Sequence, residues 1–133
     1  MAGILPDEGE HLVANLLFKN ADVDRGTNLD LVLFTNTTAP ETITAATLTQ
    51  PTVANGYVVK TLTDASWTVT ADTATYAAQT WTATGSFSAA VYGYAILTKG
   101  TTPRIIAIEA DSAGPFSLII NDTYTVTPTV IIS

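Results

Sequence analysis

The sequence predicts a mainly β protein: an antiparallel β-sandwich or jelly-roll-like fold with one short N-terminal helix. The clearest evidence is residues 56–85, where valine, threonine and aromatic residues alternate with the two-residue period of a strand. Further short apolar runs follow at brief intervals, separated by Gly, Pro, Asn and Asp. This spacing is typical of antiparallel sandwiches and barrels. A convincing helical period occurs in only one stretch, near the start of the chain.

The length of 133 residues favours one domain, which we divide into an arm (1–6), a helix (7–19) and a β-sandwich (28–133). Pro6 and the carboxylates that follow it are typical of a helix start, where negative charge complements the helix dipole. Leu12 and Leu16 lie on one apolar stripe. Lys19 suits the helix end, and Asn20 is the predicted stop.

The strand predictions follow from alternation between turn residues. The predicted strands are residues 28–35, 57–62, 67–70, 76–84, 91–98, 104–109, 116–120 and 123–127, and the apolar run 130–132 is expected to need cover from this chain or from a partner. The first is apolar on both faces and is therefore expected in the middle of a sheet. Gly93, inside a strand, predicts a bulge or a close backbone approach, and Pro128 predicts a sheet edge or a bulge. Asp72-Thr73 is expected to be a turn, and residues 36–55 are expected to form a long connection.

Composition argues against several classes of partner. The chain has 12 acidic and 5 basic residues and a formal net charge of −7. Because the basic residues are scattered singly, we expect no binding to nucleic acid or to an anionic membrane surface. Cysteine is absent, so neither a disulfide nor a thiolate zinc site is possible. The first 18 residues do not read as a signal peptide, and we expect folding in a cytoplasm.

No catalytic, cofactor-binding or metal-ligating residues are predicted. His11 is the single histidine and is expected to be a solvated helix residue. The segment 22–26 only faintly resembles a calcium loop, because Arg25 occupies a ligand position. A carboxylate pair for glycoside hydrolysis remains open, but the candidates are expected at solvated turns: Asp64, Asp72, Glu109, Asp111 and Asp122.

The aromatic residues allow two interpretations. The first is a hydrophobic core, because each aromatic alternates with Thr or Ala on the opposite strand face. The second is a platform on which sugar rings stack. The residues concerned are Trp67, Trp81, Tyr57, Tyr76, Tyr92 and Tyr94. The core interpretation is favoured.

Several runs of sequence resemble small virion proteins of tailed bacteriophages, most closely head decoration, or cement, proteins. These runs are L-D-L-V-L-F-T-N-T-T-A-P (29–40), N-G-Y (55–57), T-D-A-S-W-T-V (63–69), A-T-Y-A (74–77) and V-Y-G-Y (91–94). The likeness extends from about residue 15 to the end. It is a general similarity of sequence pattern and includes no active-site motif. It implies a β-rich protein on the capsid exterior that binds the major capsid protein, commonly as a small homo-oligomer such as a dimer or trimer.

Tail proteins have similar sequence patterns, which leaves an alternative interpretation. In it, the chain is a tail or other virion surface protein that acts as a carbohydrate- or receptor-binding module. Under either interpretation the protein is assembled into virions in the host cytoplasm, needs no cofactor and is not an enzyme. The predicted contact elements are the arm with the helix and the connection 42–53, which carry otherwise unexplained apolar residues. The contact residues are Ile4, Leu5, Leu12, Leu16, Ile43, Leu48 and Val53.

Overall fold

The computed structural model describes residues 3–19 and 24–132, which form a mainly β protein with several antiparallel sheets. This confirms the predicted class. The α-helix of the described part, α1, spans Asp7–Lys19, the predicted range. The strands are β1 (Leu29–Phe34), β2 (Lys60–Leu62), β3 (Thr68–Thr70), β4 (Thr73–Thr75), β5 (Gln79–Thr82), β6 (Gly93–Thr98), β7 (Ile105–Ala110), β8 (Thr123–Val126) and β9 (Thr129–Ile131). The predicted helix stop at Asn20 lies outside the described residues.

The strands form three sheets in the described part of the chain. The largest has the order β2-β1-β6-β7, the second β3-β4-β9, and the third pairs β5 with β8. All strand pairs within these sheets are antiparallel. Isolated bridges join Gly3 to Val130 and Ile4 to Ile108, so the N-terminal arm ties the second sheet to the edge of the first.

Strand β1 lies between β2 and β6, as its two apolar faces predict. Leu31 and Leu33 belong to the larger core, together with Trp81 from β5 and Val130 from β9. This core therefore packs the four-stranded sheet against both smaller sheets. Val32, on the opposite face of β1, belongs to a second core. The main sheet is thus covered on both sides, which explains its nearly continuous apolar sequence.

The connection 36–55 covers that second face of the main sheet. A 3-10 helix, Pro40–Thr42, leads into Ile43, which is 1% exposed and packs in the second core. The segment is held to the end of β1 because the amide of Thr35 donates to Thr49 and the Asn36 side chain bonds to both Thr47 and Thr49. Residues 45–47 form a turn within this connection.

Helix α1 is fixed to β7 by polar and close backbone contacts. The Glu8 carboxylate accepts hydrogen bonds from the amides of Ala45, at 3.0 Å, and of Ile105, at 2.8 Å. Gly9 allows the close approach: a Cβ there would lie 2.5 Å from the Ile106 carbonyl oxygen. One carboxylate therefore joins the first helical turn to both the main sheet and the connection that covers it.

Three local predictions are wrong. A turn was expected at Asp72-Thr73. Ala71 instead takes the positive-φ position of the turn, at φ 53°, and Thr73 already begins β4. Residues 57–59 are not in a strand, and pairing begins at Lys60. Residues 116–120 form only an isolated bridge, between Phe116 and Val91. The chain around Leu118 instead bonds to the loop at Phe87, so no continuous ladder forms.

The close approach expected at Gly93 is confirmed. A Cβ there would lie 2.0 Å from the Glu109 carbonyl oxygen and 2.9 Å from the Phe34 ring, and the strand irregularity lies elsewhere, between Ile96 and Leu97. We therefore expect Gly93→Ala to reduce the free energy of unfolding, measured in urea, by about 1–3 kcal/mol or more. Gly3→Ala is the matched control, because its Cβ would make ordinary contacts from 3.4 Å. Equal stability of the two variants would contradict this packing.

Candidate docking surface and acidic cleft

An open apolar groove of about 850 Å³ lies between α1, β9 and the N-terminal arm. We call it the docking groove. Helix α1 contributes Val13, Ala14 and Phe18 to one wall. The arm and the chain at and just after the end of β9 form most of the rest, with Ile4 and Ile132 both about half exposed, at 48% and 49%. The groove exists because α1 buries only part of its apolar stripe on β7.

The last turns of α1 expose unusually large apolar side chains. Phe18 is 87% exposed and Leu17 is 70% exposed, whereas Leu12 is buried at 8%. Scattered exposed apolar residues are normal, but a contiguous exposed patch marks an interaction site. Phe18 and Ile132 both line the docking groove, so two of the exposed apolar side chains belong to one concave surface.

The charged residues that line the docking groove are both acidic: Glu10 from α1 and Glu41 from the 3-10 helix. Because like charges facing each other across an interface are costly, a partner segment with basic residues beside its apolar ones fits best. The net charge of −7 acts in the same direction at longer range.

The predicted contact residues fall into two groups. Leu12 and Ile43 are buried within this chain, and Leu5 and Leu48 pack against its cores, so the chain's own packing accounts for these four apolar side chains. Exposed surface is offered by the others, which are Ile4 at 48%, Leu16 at 45% and Val53 at 67%. The structure brings Ile4 and Leu5 into the lining of the docking groove, but it leaves Leu16 and Val53 outside the groove.

The sequence missed the greater part of the docking groove. Phe18 and Ile132 were not among the predicted contact residues, although the apolar C-terminal run was expected to need cover. One sequence signal could have identified Phe18 as a contact residue: it lies outside the apolar stripe that α1 buries. The groove itself depends on the meeting of α1 with β9, which no local pattern indicates.

The two indoles lie in different surroundings. Trp81 is 1% exposed, and its Nε1 donates to the Val58 carbonyl at 2.8 Å. Its ring stacks on Tyr57 with centroids 6.5 Å apart. Burial raises the pKa of Tyr57 to about 12, although a hydrogen bond from the amide of Leu33 acts in the opposite direction. The core interpretation is therefore confirmed for Trp81 and Tyr57.

Trp67 is only partly buried and lines a pocket of about 390 Å³ between the main sheet and the β3-β4-β9 sheet. Its ring meets Tyr76 edge-on, with centroids 5.2 Å apart. The walls of this pocket are mostly aliphatic, and the Arg25–Asp64 ion pair of 3.2 Å lies among its lining residues. Trp67 is therefore one wall of an apolar pocket rather than part of a flat aromatic platform.

A second, polar cleft of about 190 Å³ is lined by Tyr94, Glu109, Asp111 and Tyr124. We call it the acidic cleft. Glu109 was expected at a solvated turn; this is wrong, because Glu109 lies within β7 and is 8% exposed. It pairs in register with Tyr94 of β6, whose ring belongs to the larger core. The alternation of β7 therefore turns this carboxylate toward the interior.

The hydrogen bonds of the acidic cleft are incomplete. The Tyr124 hydroxyl donates to Asp111 Oδ2 at 3.0 Å, but Glu109 Oε2 is buried and has no hydrogen-bond partner among the described residues. Burial is the main cause that raises the pKa values of Tyr94 and Tyr124 above their usual range. The interaction with Glu109 raises the pKa of Tyr94 further, and the interaction with Asp111 raises the pKa of Tyr124 further. Both phenols therefore stay neutral well above physiological pH.

The other candidates have local roles. His11 is exposed and lies 3.2 Å from the Asn15 side chain, as expected of a solvated helix residue. Asp24 accepts hydrogen bonds from the amides of Thr101 and Thr102, while its neighbour Asp22 in the faint calcium-like loop lies outside the described residues. Residues 3–19 and 24–132 contain no group of three or more potential metal ligands. Within the same ranges, no helix has the length and apolar character to cross a bilayer.

Comparison of the chain with protein-family models, with curated proteins and with solved structures found no match in any of the three.

Proposed function

We propose that this chain is a structural binding protein of a tailed-bacteriophage virion. In this proposal it is a decoration protein that binds the major capsid protein on the outside of the shell and stabilises the shell. The architecture proposed with it is a two-layer β-sandwich of jelly-roll-like type, in which the main sheet faces the two smaller ones. The sequence resemblance to decoration proteins supports the family, and the docking groove supports the mode of action.

The observation that carries this proposal is the exposed Phe18 at the docking groove. Phe18 is 87% exposed, and it lines a groove of about 850 Å³ together with half-exposed Ile132. Covering apolar area stabilises an interface by roughly 25 cal/mol per Å² before the costs of association are subtracted. A capsid segment with apolar residues between basic ones fits this groove, because Glu10 and Glu41 line it.

Repetition on a symmetric shell strengthens such a contact. A protein that binds only the assembled state stabilises that state by mass action. If the chain forms a dimer or trimer, each oligomer engages neighbouring capsid subunits at once, and avidity multiplies modest individual affinities. Shell stabilisation therefore needs no catalytic group, only a complementary surface present in many copies.

Co-sedimentation tests the proposal. The purified protein is mixed with purified phage heads and, separately, with purified tails, and the copy ratio in each pellet is measured. We expect saturable binding to heads at a ratio set by the number of capsid subunits, together with a higher temperature of head disruption. Binding to tails alone, or to neither particle, would overturn the decoration role. Binding to tails, together with saturable binding of soluble glycans by the free protein, would instead favour a receptor-binding module.

A further inference from the structure

Glu109 is the one inward-pointing carboxylate on the core face of β7, and the docking groove does not use it. It is 8% exposed, and it follows Ala107, a member of the larger core, at the two-residue spacing of one strand face. Burying a carboxylate without a compensating partner is costly. The fold nevertheless leaves Glu109 Oε2 without a hydrogen-bond partner among the described residues.

Glu109 opens onto a cleft that already contains a second carboxylate. Asp111 lies two residues further along the chain and accepts a hydrogen bond from Tyr124 at 3.0 Å through Oδ2, and another from the amide of Ala113 at 3.0 Å through Oδ1. Its position is therefore fixed from two directions. Glu109 Oε2 has no hydrogen-bond partner among the described residues, and the Tyr94 hydroxyl is the neighbouring donor that interacts with the Glu109 carboxylate.

From this arrangement we propose that the acidic cleft binds a cationic nitrogen group, an ammonium or guanidinium, with Glu109 as its principal partner and Asp111 as the second carboxylate. A metal ion fits less well. Ca²⁺ takes six to eight oxygen ligands, and no set of three ligating side chains exists among the described residues. The cleft volume of about 190 Å³ also exceeds the roughly 30 Å³ share of a single water, so the head of an organic cation has room.

The hydrogen-bond donors of an ammonium or guanidinium group explain why the acidic cleft would prefer such a cation. An ammonium offers three donors and a guanidinium five, and neither accepts a hydrogen bond. Such a group in the cleft brings donors to both of the carboxylates that line it, Glu109 and Asp111. Hydrogen bonds between ionised partners are about twice as strong as neutral ones. The cation could be carried by a free amine or by a lysine or arginine side chain of another protein, and the inference does not depend on the docking groove.

The test is an NMR titration of the full-length protein with Nα-acetylarginine methylamide and, separately, with n-butylammonium. We expect saturable shifts at Tyr94 and Tyr124. Glu109→Gln keeps the shape of the side chain but removes its charge and should weaken binding about tenfold or more. Asp111→Asn should also weaken binding and serves as the second variant if Glu109→Gln does not fold. Asp72→Asn makes the same change in net charge at an exposed turn and should bind like wild type.

Each outcome of the titration decides the proposal. Tighter binding of the capped arginine points to a guanidinium group, and tighter binding of n-butylammonium points to an ammonium group; both support the cleft. The proposal is overturned if neither probe binds saturably, or if Asp72→Asn weakens binding as much as Glu109→Gln. It is also overturned if CaCl₂ gives the saturable shifts and the nitrogen cations do not. None of these results depends on binding to heads, so the decoration role is tested separately.

Discussion

Replacing both Phe18 and Ile132 with aspartate should reduce association with phage heads by about 100-fold or more. Both side chains line the docking groove and would be desolvated by a partner, and an unpaired charge in a desolvated interface costs several kcal/mol. Neither change should alter folding stability by more than about 0.5 kcal/mol each, because Phe18 is 87% and Ile132 49% exposed in the free protein. Co-sedimentation measures the first effect, and urea unfolding measures the second.

The matched control is a double variant at exposed apolar residues outside the docking groove, Val69→Asp with Ile120→Asp. These side chains are 70% and 59% exposed, so the change in exposed apolar area and in net charge is similar. We expect head binding close to wild type. Equal loss of binding in both double variants would indicate a general charge effect, and full binding by the Phe18 and Ile132 variant would remove the docking groove from the mechanism.

The largest loss of stability is expected for Trp81→Ala, about 3–5 kcal/mol. The substitution empties the largest fully buried position in the core, breaks the 2.8 Å hydrogen bond to Val58 and removes the stacking partner of Tyr57. It also removes the ring beneath Lys60, whose Nζ lies 5.3 Å from the indole centroid. Since small domains are stable by about 5–15 kcal/mol, much of the stability would be lost.

Trp67→Ala provides the comparison within the same chain. Trp67 is only partly buried, and its Nε1 has no hydrogen-bond partner among the described residues, so no hydrogen bond is lost with it. Urea unfolding should therefore show a clearly smaller loss than for Trp81→Ala. A larger loss for Trp67 would mean that the core is centred on the other indole.

Trp67→Phe leaves Trp81 as the single tryptophan, and its emission should be blue and insensitive to soluble quenchers.

The class of fold could be predicted because its signals are local. The span of α1 follows from Pro6, the acidic first turn and Lys19, and the central position of β1 follows from apolar residues on both of its faces. The errors arose where local and tertiary preferences disagree. Ala71 adopts positive φ, which its side chain does not favour, and residues 116–120 have strand composition but pair with the irregular segment 87–91 only through single contacts.

The candidate sites were largely beyond sequence reasoning, because they form between distant segments. The docking groove needs Phe18 and Ile132 on the same surface, and the acidic cleft needs Tyr124 of β8 next to Asp111. Glu109 shows the limit most clearly. At the end of an apolar strand it resembles an ordinary turn carboxylate, and only the register with Tyr94 shows that it faces the core.

Hydrogen–deuterium exchange on the protein bound to phage heads tests the central claim, that the chain acts by presenting the docking groove to a partner. We expect slower exchange on binding at residues 10–18 and 131–132, with residues 68–75 unchanged. Protection confined to residues 68–75, with the helix and the C-terminal strand exchanging as in the free protein, would contradict the claim.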